Sequence, residues 1–195
     1  MAIKFQYNKT ALGDLDKQLK VRRRALPTIK SKESALRMEV KRAKNVAGEF
    51  RAALDDVTAR NDYMMALWNE FDPTLVRIAD VRLTEGKVAG VRVPVLEGVD
   101  FDEKPYDLFA SPAWTADGVE LVKRIGTLMV EAEIYTRRSE LLEGARKKTT
   151  QKVNLYEKVQ IPGYEEAILK IKRFLEDEEN LSKSSQKIVK KRHAA

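Results

Sequence analysis

The chain has 195 residues, of which 34% are charged and 43% hydrophobic, so it has enough apolar surface to fold. It has no cysteine and one histidine, His193 near the C-terminus, which excludes disulfides, thiolate catalysis and cysteine-ligated zinc and argues against a histidine-based triad or metal site. Lysine and arginine number 37 against 30 aspartates and glutamates, and the resulting charge of +7 makes a polyanionic partner worth testing, although intermixed charges usually mean only a solvated surface.

The N-terminal sequence carries no signal of secretion, and no part of the chain is a membrane-spanning segment by composition. Residues 1–10 lack the apolar core of a signal peptide. Nowhere do about 18 uncharged apolar residues follow one another, as a transmembrane helix requires. We therefore expect a cytoplasmic protein that does not insert directly into a membrane.

Residues 1–72 are predicted to form the first of two long helices. From Leu12 to Phe71, positions spaced alternately by three and four residues are apolar at 15 of 18 places. A globular helix seldom keeps a strict 3.5-residue period over so many turns, so the pattern predicts a left-handed coiled coil. The seam of this coiled coil is expected to include Leu36, Val40, Phe50, Leu54, Val57 and Met64.

Residues 73–112 are the only part of the chain with strand signals, and the stretch from Pro73 to Gly118 is rich in turn residues, with four of the six prolines and four of the nine glycines. Two runs rich in Val, Ile and Leu, residues 75–83 and 87–96, are separated by Thr84-Glu85-Gly86, which predicts a β-hairpin with its turn at those three residues. An isolated hairpin is barely stable in water, so this one should pack on the helices. A short helical segment and the rings of Trp68, Phe71 and Trp114 are expected at the same end.

Residues 113–195 are predicted to form the second long helix, which ends in a basic tail. Ser111-Pro112 is a typical helix start, a capping hydroxyl followed by proline. Two long helices joined by a compact middle most simply fold back on one another. The predicted fold is therefore mainly α: a long two-helix antiparallel left-handed coiled coil with a small β-hairpin and a short helical segment at its turn end.

Pro27 and Pro162 interrupt the two predicted helices, since a proline inside a helix removes a backbone donor and favours a kink. In the antiparallel pairing the two prolines come to nearly the same height. We predict that both helices bend together there and set the terminal segment apart.

The motifs of common catalytic and cofactor sites are missing from the sequence. There is no phosphate-binding glycine-lysine loop and no dinucleotide-binding glycine pattern, so no cofactor is expected. The acidic run at residues 176–179 is best explained as a solvated helix face, because consecutive helical residues point in different directions and cannot converge on one metal ion. We expect no catalytic residue and no metal ligand.

The second helix contains a run that begins at Val153 and reads Val-Asn-Leu-Tyr-Glu-Lys-Val-Gln-Ile-Pro. This run resembles the C-terminal signature of the D subunit of the V-type and A-type rotary ATPases. Asn8 to Leu12 and Lys87 to Pro94 are similar to the opening helix and the central hairpin of the same family, so the likeness touches all three segments. Two positions depart from the signature, Leu155 and Tyr156. The matching residues are Val153, Asn154, Glu157, Val159, Ile161 and Pro162.

The resemblance implies a non-catalytic central rotor shaft. A shaft of this kind transmits torque between ATP hydrolysis or synthesis in a catalytic hexamer and ion translocation in a membrane ring. The implied partners are the catalytic and regulatory subunits of the hexamer, the F subunit of the central stalk and the socket subunit that leads to the membrane rotor ring. The implied location is cytoplasmic, with peripheral membrane association through the complex, and no nucleic acid is involved.

The alternative is a free-standing basic coiled-coil module that binds nucleic acid or scaffolds proteins, and an enzyme is a third possibility ranked last. The excess charge lies in residues 1–26 and 163–195, which the predicted pairing brings to one end. We interpret this end as a positively charged tip that faces the hexamer. The tip residues are Arg22, Arg23, Arg24, Lys187, Lys190, Lys191 and Arg192.

Overall fold

The computed structural model describes residues 3–64, 66–107 and 109–193, and the predicted fold class is confirmed, with 73% of the chain helical. The helices are α1, α2 and α3, and a π-helical segment at residues 155–160 joins the last two. Strands β1 and β2 form an antiparallel hairpin. Their bounds are Lys9–Arg60 for α1, Val76–Val88 for β1, Val91–Glu103 for β2, Thr115–Asn154 for α2 and Ile161–His193 for α3.

Helix α1 begins and ends at clear local signals. Asn8 caps it, since its side-chain oxygen accepts a 2.7 Å hydrogen bond from the Ala11 amide. At the other end the helix stops at Arg60, twelve residues before the predicted limit at Asp72. The Asn61 side chain donates to the Val57 carbonyl there, and two short 3₁₀ turns follow although the apolar period continues. Periodicity alone therefore overestimated the length of the helix, because apolar side chains in short 3₁₀ turns can be buried as fully as those in an α-helix.

The hairpin turn lies at Ala89-Gly90, so the predicted turn at Thr84-Glu85-Gly86 is wrong. Ala89 and Gly90 have φ angles of 49° and 78°, which suit the two-residue turn that matches the twist of paired strands. Gly86 lies within β1, opposite Val93, where a Cβ atom would come within 2.9 Å of the Val95 side chain. Gly86 therefore lets the two strands pack closely and is not a turn residue.

Helix α2 begins at Thr115, a few residues after the predicted start at Ser111-Pro112. The Thr115 amide donates to the Pro112 carbonyl, so the proline belongs to a preceding turn. Trp114 packs beside this turn on Trp68 and Phe71, with ring centroids 6.0 and 5.9 Å away. The three rings thus meet as predicted near the start of the second helix.

Contacts divide the chain into two compact units, each described by itself below. The terminal unit comprises residues up to Glu33 and from Lys148 onward, and the hairpin unit comprises residues 34–147. The predicted division of the chain into segments 1–72, 73–112 and 113–195 remains a prediction.

The core of the hairpin unit joins α1, α2 and the hairpin. Leu36 and Leu142 are fully buried and Val93 is 2% exposed, and they pack with Val40 and Ala43. The Phe50 and Tyr135 rings lie 5.6 Å apart, whereas Leu36 packs in one cluster with Leu142, so lower numbers in α1 face higher numbers in α2 and the two helices run antiparallel here. Of the six predicted seam residues, Leu36, Val40, Val57 and Met64 are buried and Phe50 and Leu54 are half-buried.

Adding one methyl group is expected to have opposite effects on stability at two helical glycines. A Cβ atom at Gly48 would have no neighbour within 4 Å, so Gly48→Ala is expected to raise the unfolding free energy by about 1 kcal/mol through helix propensity. A Cβ atom at Gly118 would lie 3.1 Å from Phe71 and from Trp114, rings that already pack on each other. Gly118→Ala is therefore expected to lower the unfolding free energy by about 1 kcal/mol. Urea unfolding of both variants checks this, and equal effects would contradict it.

No helix in the described ranges has the length and apolar character needed to cross a membrane.

Candidate functional site

The terminal unit has its own apolar core between α1 and α3. Ile171 is fully buried and Ala167 is 2% exposed, and both pack with Leu15 and Leu19 of α1. Leu15 and Leu19 belong to a buried stripe of α1, and Ala167 and Ile171 belong to a buried stripe of α3. Contact between the two stripes holds the first part of α1 against the first part of α3.

An N-terminal segment without regular secondary structure, residues 3–8, adds a third layer to this core. Ile3 and Phe5 pack against the cluster, and the Ile3 side chain would lie 3.2 Å from a Cβ atom at Gly163. Tyr7 follows, with its ring 4.9 Å from that of Phe174. Sequence reasoning missed this segment, although the alternation of Ile3, Phe5 and Tyr7 with polar residues is the period-two signal of an extended chain.

Polar contacts between the helices surround Arg22. Its Nε atom donates to the Gln160 side chain at 2.8 Å, and its guanidinium lies 4.6 Å from the centre of the Tyr164 ring. The Tyr164 hydroxyl in turn donates to Gln18 at 2.7 Å. Arg22 is therefore part of the interhelix packing.

Two exposed ion pairs fix the heights of the prolines. Lys30 pairs with Glu157 and Arg23 with Glu165, each at 2.6 Å. Pro27 lies between Arg23 and Lys30 in sequence, and Pro162 lies between Glu157 and Glu165. The two prolines are thus at nearly the same height, as predicted, while the joint bend stays a prediction.

The signature residues lie in and beside the π-helical segment, which sequence reasoning did not predict. The segment ends at Gln160, two residues before Pro162, which has no N–H to donate to the Lys158 carbonyl, whereas α1 stays helical through Pro27. Val153 and Ile161 are half-buried, Glu157 pairs with Lys30, and Val159 is exposed. Asn154 is the last residue of α2 and is exposed, as is Pro162 in the first turn of α3.

The last part of α3, residues 176–193, is exposed at every position and is called the α3 end below. It carries the apolar residues Leu181, Ile188 and Val189, which are 70%, 55% and 52% exposed. Its acidic run is a solvated face, as predicted, and Lys183 donates to Glu179 at 2.7 Å, which lowers the pKa of that carboxyl.

The basic residues predicted to form one tip do not come together. Arg22 and Arg23 contact residues 160–165, whereas Lys187 to Arg192 lie more than 20 residues farther along α3, or roughly 30 Å at 1.5 Å per residue. The two groups are therefore not in contact, because α1 begins only at Lys9 and α3 extends past the start of α1. That these residues form one positively charged tip facing a hexamer stays a prediction. Arg24 and the four basic residues of the tail, Lys187, Lys190, Lys191 and Arg192, are exposed.

Shifted pKa values trace to local pairs or to burial. Hydrogen bonds to Glu103 and Glu120 raise the pKa of Lys123, and a hydrogen bond from Arg146 lowers the pKa of Glu143. Burial raises the pKa of Glu131. Among the described residues no group of three or more His, Asp or Glu side chains is placed to hold a metal ion. Across residues 3–64, 66–107 and 109–193, the α3 end is the longest run of consecutively exposed positions.

Comparison with known proteins gives the same family over nearly the whole chain. The sequence profile of the family described as the D subunit of ATP synthase matches residues 11–191. A V-type ATP synthase D subunit from Borreliella burgdorferi is 29% identical over 187 residues, which cover 93% of each chain. Proteins of the same name from Chlamydia muridarum and Chlamydia caviae are 29% and 27% identical over 172 residues, which cover 86% of this chain and 85% and 83% of theirs. The chain therefore belongs to the ATP synthase D subunit family.

Proposed function

We propose that this chain is the non-catalytic central rotor shaft of a V-type ATP synthase. The observation that carries the proposal is the α3 end: a helix of a family member whose last 18 residues, 176–193, are all exposed and include Leu181, Ile188 and Val189. Apolar side chains on an uncovered helix favour contact with another protein. A shaft end enclosed by a hexamer would supply that contact.

The terminal unit supports a shaft because it couples the two chain ends firmly. Its apolar core, the Arg22 contacts and the Lys30–Glu157 and Arg23–Glu165 pairs join α1 to the segment that continues as α3. The exposed ion pairs contribute little energy each, so the buried residues carry most of the stability. Torque on the α3 end would then pass to α1 without separating the helices.

The mechanism of such a shaft is differential contact. At each angle an asymmetric helix surface touches the three catalytic pairs of the hexamer differently and favours a different nucleotide-binding state in each pair. A tenfold shift in one of these equilibria requires about 1.4 kcal/mol of contact difference, which a few apolar side chains can supply. Hydrolysis of ATP would turn the shaft, or ion flow would turn it and drive synthesis.

The proposed partners follow from this role. They are the catalytic and regulatory subunits of the hexamer around the chain ends, the F subunit on the side of the shaft, and the socket subunit that leads to the membrane ring. The location would be cytoplasmic, with attachment to the membrane only through the complex.

Affinity purification of the tagged chain from its own cells tests the assignment. The rotor role predicts recovery of the hexamer subunits with one copy of this chain per hexamer, together with ATPase activity in the eluate. Recovery without ATPase subunits, combined with salt-sensitive binding to DNA or RNA, would overturn it in favour of a basic coiled-coil module.

A further inference from the structure

An apolar groove runs between strand β1 and helix α2 in the hairpin unit. Ile78 and Val81 form one wall, and Met129, Val130 and Ile134 form the other. Ile78 is 44% exposed and Met129 is 55% exposed, so the groove opens to solvent. Two large apolar residues facing each other on an open surface indicate a contact site rather than scattered surface residues.

Gly126 forms the floor of this groove and brings its walls together. A Cβ atom there would lie 3.2 Å from the Phe101 ring and 3.9 Å from the Ile78 side chain. The absence of a side chain lets the hairpin approach α2 closely and leaves Ile78 at the rim. The groove is thus built into the packing of the hairpin unit.

The charged side chain in the lining of the groove is acidic: Glu133 of α2, which is exposed. Glu133 has no ion pair among the described residues, and Arg137, one turn farther along α2, pairs with Glu140 at 3.1 Å. Asp80 precedes Val81 on β1 and so points to the other face of the strand. A ligand of this surface should therefore combine apolar side chains with basic ones.

A helix fits the groove better than an added strand. In the described part of the chain β1 pairs only with β2, so it has a free edge. The pairing of β1 with β2, however, is irregular at Ile78/Asp80 and at Arg82/Leu83, and charged residues alternate along the strand. Both features oppose strand addition. The wall from Gly126 to Ile134 is about 12 Å long, which suits two to three turns of a helix.

We propose that the β1–α2 groove binds a cationic amphipathic helix of another subunit of the same complex. The partner helix places apolar residues spaced by three and four between Ile78 and Met129, and sets a lysine or arginine against Glu133. The inference rests on the proposed function, since it takes the partner from the ATPase complex. It adds a surface distinct from the α3 end.

Site-specific photo-crosslinking in the assembled complex tests the groove. p-Benzoylphenylalanine replaces Met129 in one variant and Met38 in the matched control, because Met38 is a 73% exposed methionine of α1 that does not line the groove. After purification of the complex, crosslinked peptides are sequenced by mass spectrometry. We expect at least fivefold more crosslinking at position 129, to one segment with the apolar period of a helix and flanking basic residues.

A charge-reversal pair adds a quantitative readout. Glu133→Lys is expected to lower retention of the crosslinked subunit roughly tenfold, whereas Glu49→Lys, an exposed site on α1, should leave it unchanged. Crosslinking at 129 no higher than at 38, or to a second copy of this chain, or to a segment without that pattern, would overturn the inference while leaving the rotor role intact. Loss of all ATPase subunits from the unmodified chain would overturn both.

Discussion

Replacement of Leu181, Ile188 and Val189 by glutamine is expected to uncouple ATP hydrolysis from ion transport while the chain stays folded. All three side chains are exposed, so the unfolding free energy should change by no more than about 0.5 kcal/mol. In the rotor role they contact the hexamer, and loss of about 1 kcal/mol at each would reduce the coupled rate by at least tenfold. ATP-driven ion uptake by vesicles that contain the reconstituted complex measures the effect.

Two further variants of the same helix are needed to interpret this result. Ser184→Ala with Gln186→Ala alters exposed polar residues of the same helix and should leave ion uptake unchanged. Replacement of Lys187, Lys190, Lys191 and Arg192 by glutamine tests whether charge at the α3 end matters independently. Arg22 and Arg23 are left intact because they contribute to interhelix packing. Normal coupling in the triple apolar variant would contradict contact through the α3 end.

Leu36→Ala and Leu142→Ala are each expected to lower the unfolding free energy by 2–5 kcal/mol, which is roughly the range for fully buried leucines. Both side chains are completely inaccessible and belong to the cluster that holds the hairpin on the helices. A loss of about 3 kcal/mol corresponds to a decrease of roughly 6–12 °C in Tm for a chain of this size.

Met38→Ala is the matched control, because Met38 is only two residues from Leu36 yet 73% exposed. Thermal and urea unfolding of the three variants should separate the buried pair from the control by at least about 1.5 kcal/mol. Equal losses in all three would mean that the seam does not hold the hairpin unit together. The double variant should lose less than the sum, since both leucines share one cluster.

The seam could be predicted from sequence because its signal is long and redundant. Leu36, Val40 and Val57 of α1 follow the alternate spacing and are buried, and Met64 is buried too, but in a 3₁₀ turn after α1 has ended. Many weak apolar signals with one period add up, so an error at one position changes little. The same redundancy carried the apolar period past the actual end of α1 at Arg60, where short turns bury side chains with similar spacing.

The hairpin turn could not be predicted as easily because it depends on two residues. Gly86 and Gly90 both fit a turn by composition, and only the structure assigns positive φ to Ala89 and Gly90. An alanine in a left-handed conformation is unfavourable by itself, so the turn is imposed by strand pairing and by packing of Ala89 on the core. Tertiary contacts here outweigh local preference.

The candidate surfaces were only partly visible in the sequence. The basic tail was visible, because charged residues can be counted in a sequence. Its separation from Arg22, however, depends on where α1 begins and on how long α3 is. The β1–α2 groove was not visible in the sequence. Ile78 and Met129 are far apart in the chain and come together only through the packing of Phe101 on Gly126. Contacts between distant residues leave no mark in a single sequence.

Single-molecule observation of rotation tests the central proposal most directly. The chain has no cysteine, so Lys87→Cys on the exposed hairpin gives one attachment point for a bead while the hexamer is fixed to a surface. The rotor role predicts that ATP drives the bead in one direction with three dwell positions per turn. A bead that stays still while the same immobilised complexes hydrolyse ATP would contradict it.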